Sequence, residues 1–109
     1  MILYGLKTCD ACRRARRALP DAAFVDLRGA DDLPARVPRW HEALGPRLLN
    51  KASTTWRGLS DEEKTRAQSD PVGLLLAHPT LIKRPVVEAD GAVRVGWTPQ
   101  TRAALGLEG

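Results

Sequence analysis

The sequence predicts a small α/β domain: a mixed β-sheet sandwiched by helices, with a helical insertion between a βαβ half and a ββα half. Three observations carry this. An apolar run, an amphipathic Arg-rich segment and a second apolar run follow one another within the first 27 residues. Residues 33–77 then carry only helical signals. Finally, Asp90-Gly91 separates two runs rich in valine.

Ile2, Leu3, Tyr4, Gly5 and Leu6 form an apolar run with β-formers and read as a short buried strand. A helix is expected from about Asp10 to Leu19, stopping before Pro20. At 100° per residue, Ala11, Cys12, Ala15, Ala18 and Leu19 share one arc, and Arg13, Arg14, Arg16 and Arg17 share the other. Residues 22–27 read as a second strand, and the short return makes it parallel to the first. Leu33 to Leu44 reads as a helix ended by Gly45 and Pro46, with Pro38 moving the start of its regular part to near residue 37. Ser60 with Glu63 makes a capping box for a helix from about 61 to 69. Asp70 caps Pro71, which starts a short helix closed by Pro79. Asp90-Gly91 is the signature of a two-residue hairpin turn after Val86 and Val87. Thr98 caps Pro99 for a last helix to about Leu105, ended by Gly106.

The 109 residues suit one domain, 1–109, with the helical block of about 33–77 as an insertion. The 43% hydrophobic and 28% charged content is that of a folded globular chain. Two cysteines are too few for a disulfide framework. No apolar run is long enough to span a membrane and no secretory leader is visible, so a cytoplasmic location is expected. The net charge is +4, and the arginine stripe of the first helix reads as a solvated face. No nucleic-acid partner is expected.

Cys9-Asp10-Ala11-Cys12 sits directly after a strand, at the mouth of a helix. In a βαβ context this spacing reads as a thioredoxin-like redox motif. Unpaired backbone N–H groups and the positive end of the helix dipole favour a thiolate there. Cys12, one turn on, is within reach of Cys9 for a disulfide. The alternatives are that Cys12 is a small buried hydrophobe, or that both cysteines are structural. A metal site would need His41 and His78 as well; they lie in separate segments without ligand spacing, so none is expected. Asp26 reads either as a proton-transfer group or as a turn residue. Trp56 and Trp97 read either as cleft-lining or as core, and Lys51 as anion-facing or solvated.

The segments YGLKTCDACRRARRAL, LLNKASTTWRGL, HPTLIKRPVV and GAVRVGW, taken together, resemble the thioredoxin-fold arsenate reductases of the glutaredoxin-linked type. Relatives of that family are the Spx redox regulators and small glutathione-dependent thiol reductases, and the last are the most similar branch. The resemblance runs over nearly the whole chain. It implies that Cys9 is the catalytic cysteine, that Arg84 contacts an oxyanion, and that Pro85 lies opposite the cysteine with a cis peptide bond. Of the three arginines that surround the cysteine in the reductases, only Arg84 remains. Asn50, beside Lys51, stands at one of the other positions and Trp97 at the other. Two guanidiniums fewer means weaker bidentate recognition of a tetrahedral oxyanion.

The expected activity is therefore that of a thiol-dependent reductase, an oxidoreductase with a low-pKa Cys9. Cys12 or glutathione would resolve the adduct, and Arg84, Lys51, Asn50, Pro85 and Trp97 would surround the substrate. The resemblance implies no bound cofactor, glutathione as co-substrate, and glutaredoxin or thioredoxin as partner. The substrate would be a small anion or a disulfide. The alternative is an Spx-like redox sensor that binds the RNA polymerase α subunit.

Overall fold

Strand β1 (Ile2–Gly5) pairs in parallel with β2 (Ala23–Asp26), setting Leu3 opposite Phe24. Between them runs α1 (Asp10–Ala18), so the βαβ step expected from the first 27 residues is present. The structure is a computed structural model and describes residues 1–107; Glu108 and Gly109, which the sequence reading placed in the domain, lie outside the described residues. The chain divides into two compact units, one of Met1–Ala30 with the chain from Arg84 onward, the other of Asp31–Lys83.

In the first unit the sheet order is β2-β1-β3-β4. Strand β3 (Val86–Ala89) lies antiparallel to β1, with Leu3 opposite Val87 and Tyr4 opposite Val86. Strand β4 (Ala92–Val95) returns through Asp90 and Gly91, whose φ values of 53° and 77° are those the two-residue turn requires. Leu3 and Val87 share a face with Ala15 of α1. Leu19, Phe24, Trp97 and Leu105 close over that cluster, the last from the end of α6 (Pro99–Ala104). On the opposite face Tyr4 and Val86 are fully buried. The small-residue arc of α1 serves its close approach to the sheet through Cys12 and Ala15, which are buried, although Ala18, the last residue of the helix, is exposed.

The second unit is helical. Helix α2 (Leu33–Leu44) begins at Leu33 and not near residue 37. Pro34 stands in the first turn, where its missing N–H has no partner to lose, and Pro38 removes only the bond that would reach Pro34. Val37 and Trp40 face the interior with Leu33 and Leu44. A 3-10 turn, Gly45–Leu48, follows. Helix α3 (Thr54–Arg57) is a single turn absent from the sequence reading; the Ser53 hydroxyl accepts from Trp56 N–H at 3.1 Å and caps it. Helix α4 (Asp61–Ser69) carries the expected capping box and α5 (Pro71–Ala77) the expected Asp70 cap. A bridge between Leu49 and Ile82 closes the unit. Among the described residues no helix is long and apolar enough to cross a membrane.

Candidate functional site

The site is built where β1 hands over to α1. The Cys9 N–H donates to the Leu6 carbonyl at 3.1 Å, which tightens the loop of Lys7 and Thr8. The Cys9 carbonyl then accepts the first helical bond from Arg13 at 3.0 Å, so Cys9 is the N-cap of α1, half-buried and extended at φ −79°, ψ 125°. Its sulfur makes no short cap bond of the kind an oxygen makes there. Four influences act on its ionisation. Burial raises the thiol pKa, while the Cys12 N–H, the Cys12 thiol and the Arg84 guanidinium all lower it.

Cys12, the third residue of the helix, is 1% exposed. Burial pushes its thiol up to about 11, against a lowering contribution from the backbone of Leu6, and the neighbouring Cys9 pushes it the same way as burial. Two cysteines three residues apart are thus held in opposite protonation preferences by one helix start. That is the arrangement in which one sulfur attacks and the other waits.

Cys12 needs room that β1 supplies. A Cβ on Gly5 would overlap Cys12 Sγ and lie 3.2 Å from Cys12 Cβ, so glycine at the end of β1 is what lets the helix carry a sulfur there. Reading the sequence as an apolar strand overlooked this role. The available signal was a glycine at the last strand position immediately before the cysteine loop.

Arg84 reaches the site from the segment leading into β3. The peptide bond between Arg84 and Pro85 is cis, as the resemblance implied. Pro85 is buried, and its carbonyl accepts from Gly96 N–H at 2.9 Å. Gly96 adopts φ 80° to make that bond, so the end of β4 fixes the start of β3 and with it Arg84. Gly96 was likewise not singled out from sequence. Trp97, next in the chain, packs against the Leu3, Ala15 and Val87 cluster, which gives it a core contact.

Asn50 and Lys51 belong to the second unit. Asn50 Oδ1 accepts from Ala52 N–H at 3.1 Å, and its carbonyl accepts from the Ser53 hydroxyl at 2.8 Å. Asn50 therefore shapes the turn that starts α3. Lys51 Nζ stands 5.4 Å from the centre of the Trp56 ring, and Lys64 Nζ stands 5.8 Å from it. Trp56 thus lies against two ammonium groups.

The remaining candidates have local partners. Asp26 Oδ1 accepts from the Arg28 N–H at 2.9 Å, the turn reading of that residue, and this bond holds its carboxyl below the usual range. His78 Nε2 and Glu63 Oε2 are 2.8 Å apart, which joins the end of α5 to α4.

The model of the ArsC family matches residues 4–105. The chain is similar to an uncharacterized protein of Haemophilus influenzae, 33% identical over 102 residues that span 87% of this chain and 89% of the other. Among solved structures it is similar to the YffB protein at a TM-score of 0.82 and 36% identity, covering 94% of this chain and 96% of that one. It is also similar to an arsenate reductase (ArsC) related protein from Brucella melitensis, at a TM-score of 0.70 and 34% identity, covering 97% and 94%. The fold is thioredoxin-like, and the chain belongs to the ArsC family.

Proposed function

We propose that this protein is a thiol-dependent reductase in which Cys9 is the nucleophile and glutathione supplies the electrons. One observation supports the reading: Cys9 caps α1 half-buried, and against the burial that raises its pKa the Cys12 N–H, the Cys12 thiol and Arg84 all act to lower it. A free thiol of pKa ~8.5 is only about 3% thiolate at pH 7, so a downward shift raises the reactive fraction directly.

In the first step the Cys9 thiolate attacks one sulfur of a disulfide. The Cys9–sulfur bond forms, the substrate disulfide breaks, and one substrate thiolate leaves. In the second step Cys12 or glutathione attacks Cys9 sulfur and releases the other substrate thiol. The enzyme is left two electrons oxidised, as a Cys9–Cys12 disulfide or a glutathione adduct, and further glutathione or glutaredoxin reduces it. Arg84 stabilises the thiolate and meets an anionic group of the substrate, such as a glutathione carboxylate. With a single guanidinium at Cys9, arsenate is the weaker candidate substrate.

Alkylation rate against pH tests the nucleophile. The expected Cys9 pKa is below that of a free thiol; a value of ~8.5 or more overturns the activation. Turnover is expected with a glutathione-mixed disulfide or hydroxyethyl disulfide in the presence of glutathione and glutaredoxin, and none with Cys9→Ser. Cys12→Ser stops turnover if Cys12 resolves the adduct and leaves it intact if glutathione does.

The buried Cys12 thiol beside Cys9 is also compatible with a second reading, a redox sensor in which a Cys9–Cys12 disulfide would gate binding to RNA polymerase through its α subunit. A pull-down with the carboxy-terminal domain of polymerase α, under oxidising and reducing conditions, decides it, since no capture in either state removes this reading.

A further inference from the structure

Away from Cys9, the other flank of α1 forms an open groove of about 620 Å³ against β2, lined by Arg13, Arg16, Arg17, Leu19, Ala22 and Phe24 among others. We infer that this groove is a docking surface for an extended acidic segment of a protein partner. The inference is independent of the thiol chemistry proposed for Cys9.

The charges are the first observation. Among the described residues no carboxylate lies within ion-pair distance of Arg13, Arg16 or Arg17, whereas Arg14, on the same helix but outside the groove, is paired with Asp10 at 3.6 Å. Three guanidiniums that converge on one groove without an internal counter-ion are complementary to an anionic ligand. Two of them are held in place. Arg13 Nε donates to the Lys7 carbonyl at 3.1 Å, and Arg16 lies 4.3 Å over the centre of the Phe24 ring. A guanidinium fixed in this way keeps its remaining N–H groups free for a carboxylate and loses less side-chain entropy on binding.

The spacing is the second. Arg13 and Arg17 are four residues apart on a helix, a rise of about 6 Å. Alternate residues of an extended chain are about 6.6 Å apart, so carboxylates at every second position match that interval. The third is the sheet edge. Among the described residues β1 is the one strand beside β2, which leaves the far side of β2 as an edge able to take an added strand. Leu19, Ala22 and Phe24 supply an apolar wall beside the arginines, against which the stems of the inward-facing glutamates can lie.

A nucleic acid fits less well. The single aromatic ring of the groove already carries a guanidinium on one face, which leaves little platform for base stacking. The nine residues of α1 span only about 13 Å, enough for about four residues of an extended peptide and short for a phosphate track.

The probe is a fluorescein-labelled octapeptide alternating glutamate with valine, titrated by anisotropy against the reduced protein. Saturable binding that weakens with added salt is expected. Joint replacement Arg13→Gln, Arg16→Gln and Arg17→Gln should weaken it by about tenfold or more. Phe24→Leu, which removes the ring under Arg16 and leaves the charge, should weaken it by a smaller factor. A control that removes three positive charges elsewhere, Arg39→Gln with Arg57→Gln and Arg94→Gln, should bind as the parent does. Equal loss in the control, or no binding of the peptide by the parent protein, overturns the proposal. Tighter binding of single-stranded oligothymidylate than of the peptide overturns it in favour of nucleic acid. Unchanged melting midpoints in the variants confirm that the readout is docking and not folding.

Discussion

The position of Cys12 depends on a residue with no side chain. Gly5 ends β1 where Cys12 comes down from α1, and a methyl group there would overlap the sulfur. The sequence displayed the two cysteines and their spacing plainly, because C-x-x-C at a strand end is a local pattern. It did not display the reason for Gly5, because that reason is a contact between residues seven positions apart on different elements. Gly5→Ala should therefore do more than add a methyl to a strand. It should cost about 1–3 kcal/mol in urea denaturation through overpacking, and it should shift the Cys9 alkylation profile by moving the Cys12 N–H that faces the thiol. In the Cys12→Ala background the same substitution should cost much less, since the clashing sulfur is gone. A double-mutant cycle reads the difference. Additive effects of the two changes would show that Gly5 and Cys12 do not press on each other.

At the scale of elements, most boundaries follow from local chemistry that can be read directly. Ser60, Asp70 and Thr98 each accept a hydrogen bond from the backbone three residues on, and each starts the helix expected of it. Pro38 misled because its effect was counted without its position: one lost bond near a helix start is tolerated when Val37 and Trp40 are buried on that helix. Helix α3 was missed because four residues carry no periodicity, and its Ser53 cap is set up by the turn around Asn50. The Glu63 carboxyl illustrates a coupling between elements that no pattern shows. It serves the capping box of α4 through Ser60 N–H at 3.4 Å and also meets His78 at the end of α5. The His78 contact, with the Ser60 bonds, holds its pKa below the ordinary 4.5 in the folded state. A carboxyl with a depressed folded pKa adds stability above its unfolded pKa and loses it as pH falls through the folded one. Stability should thus decline below about pH 4.5 with a component from Glu63, and Glu63→Gln should flatten that part of the profile. An unchanged acid limb in the variant, followed by circular dichroism in urea, would count against the pairing.

At the scale of the molecule, the chain order hides the sheet. The parallel pair β1 and β2 and the hairpin β3 and β4 were each legible because their partners are close in sequence. The pairing that joins them sets Leu3 opposite Val87, and no local signal spans that separation. The same holds for the cores. Residues 31–83 form a compact unit of their own, and Trp40, 1% exposed, is the largest fully buried side chain among the described residues. Leu48, Leu74, Leu75 and Leu81 are buried in the same unit with it. The sequence reading singled out Trp56 and Trp97 and not Trp40, because the residues that bury Trp40 come from distant parts of the chain. Its burial makes it the tryptophan on which folding stability rests most. Trp40→Ala should cost about 3–5 kcal/mol through lost transfer energy and the cavity left behind. Domains of this kind have about 5–15 kcal/mol in total. The variant should therefore unfold at much lower urea than the parent, whereas Trp56→Ala, which removes a half-buried ring lying against two lysines, should shift the midpoint far less. Similar shifts for the two variants would mean that the helical unit draws its stability from somewhere other than the packing around Trp40.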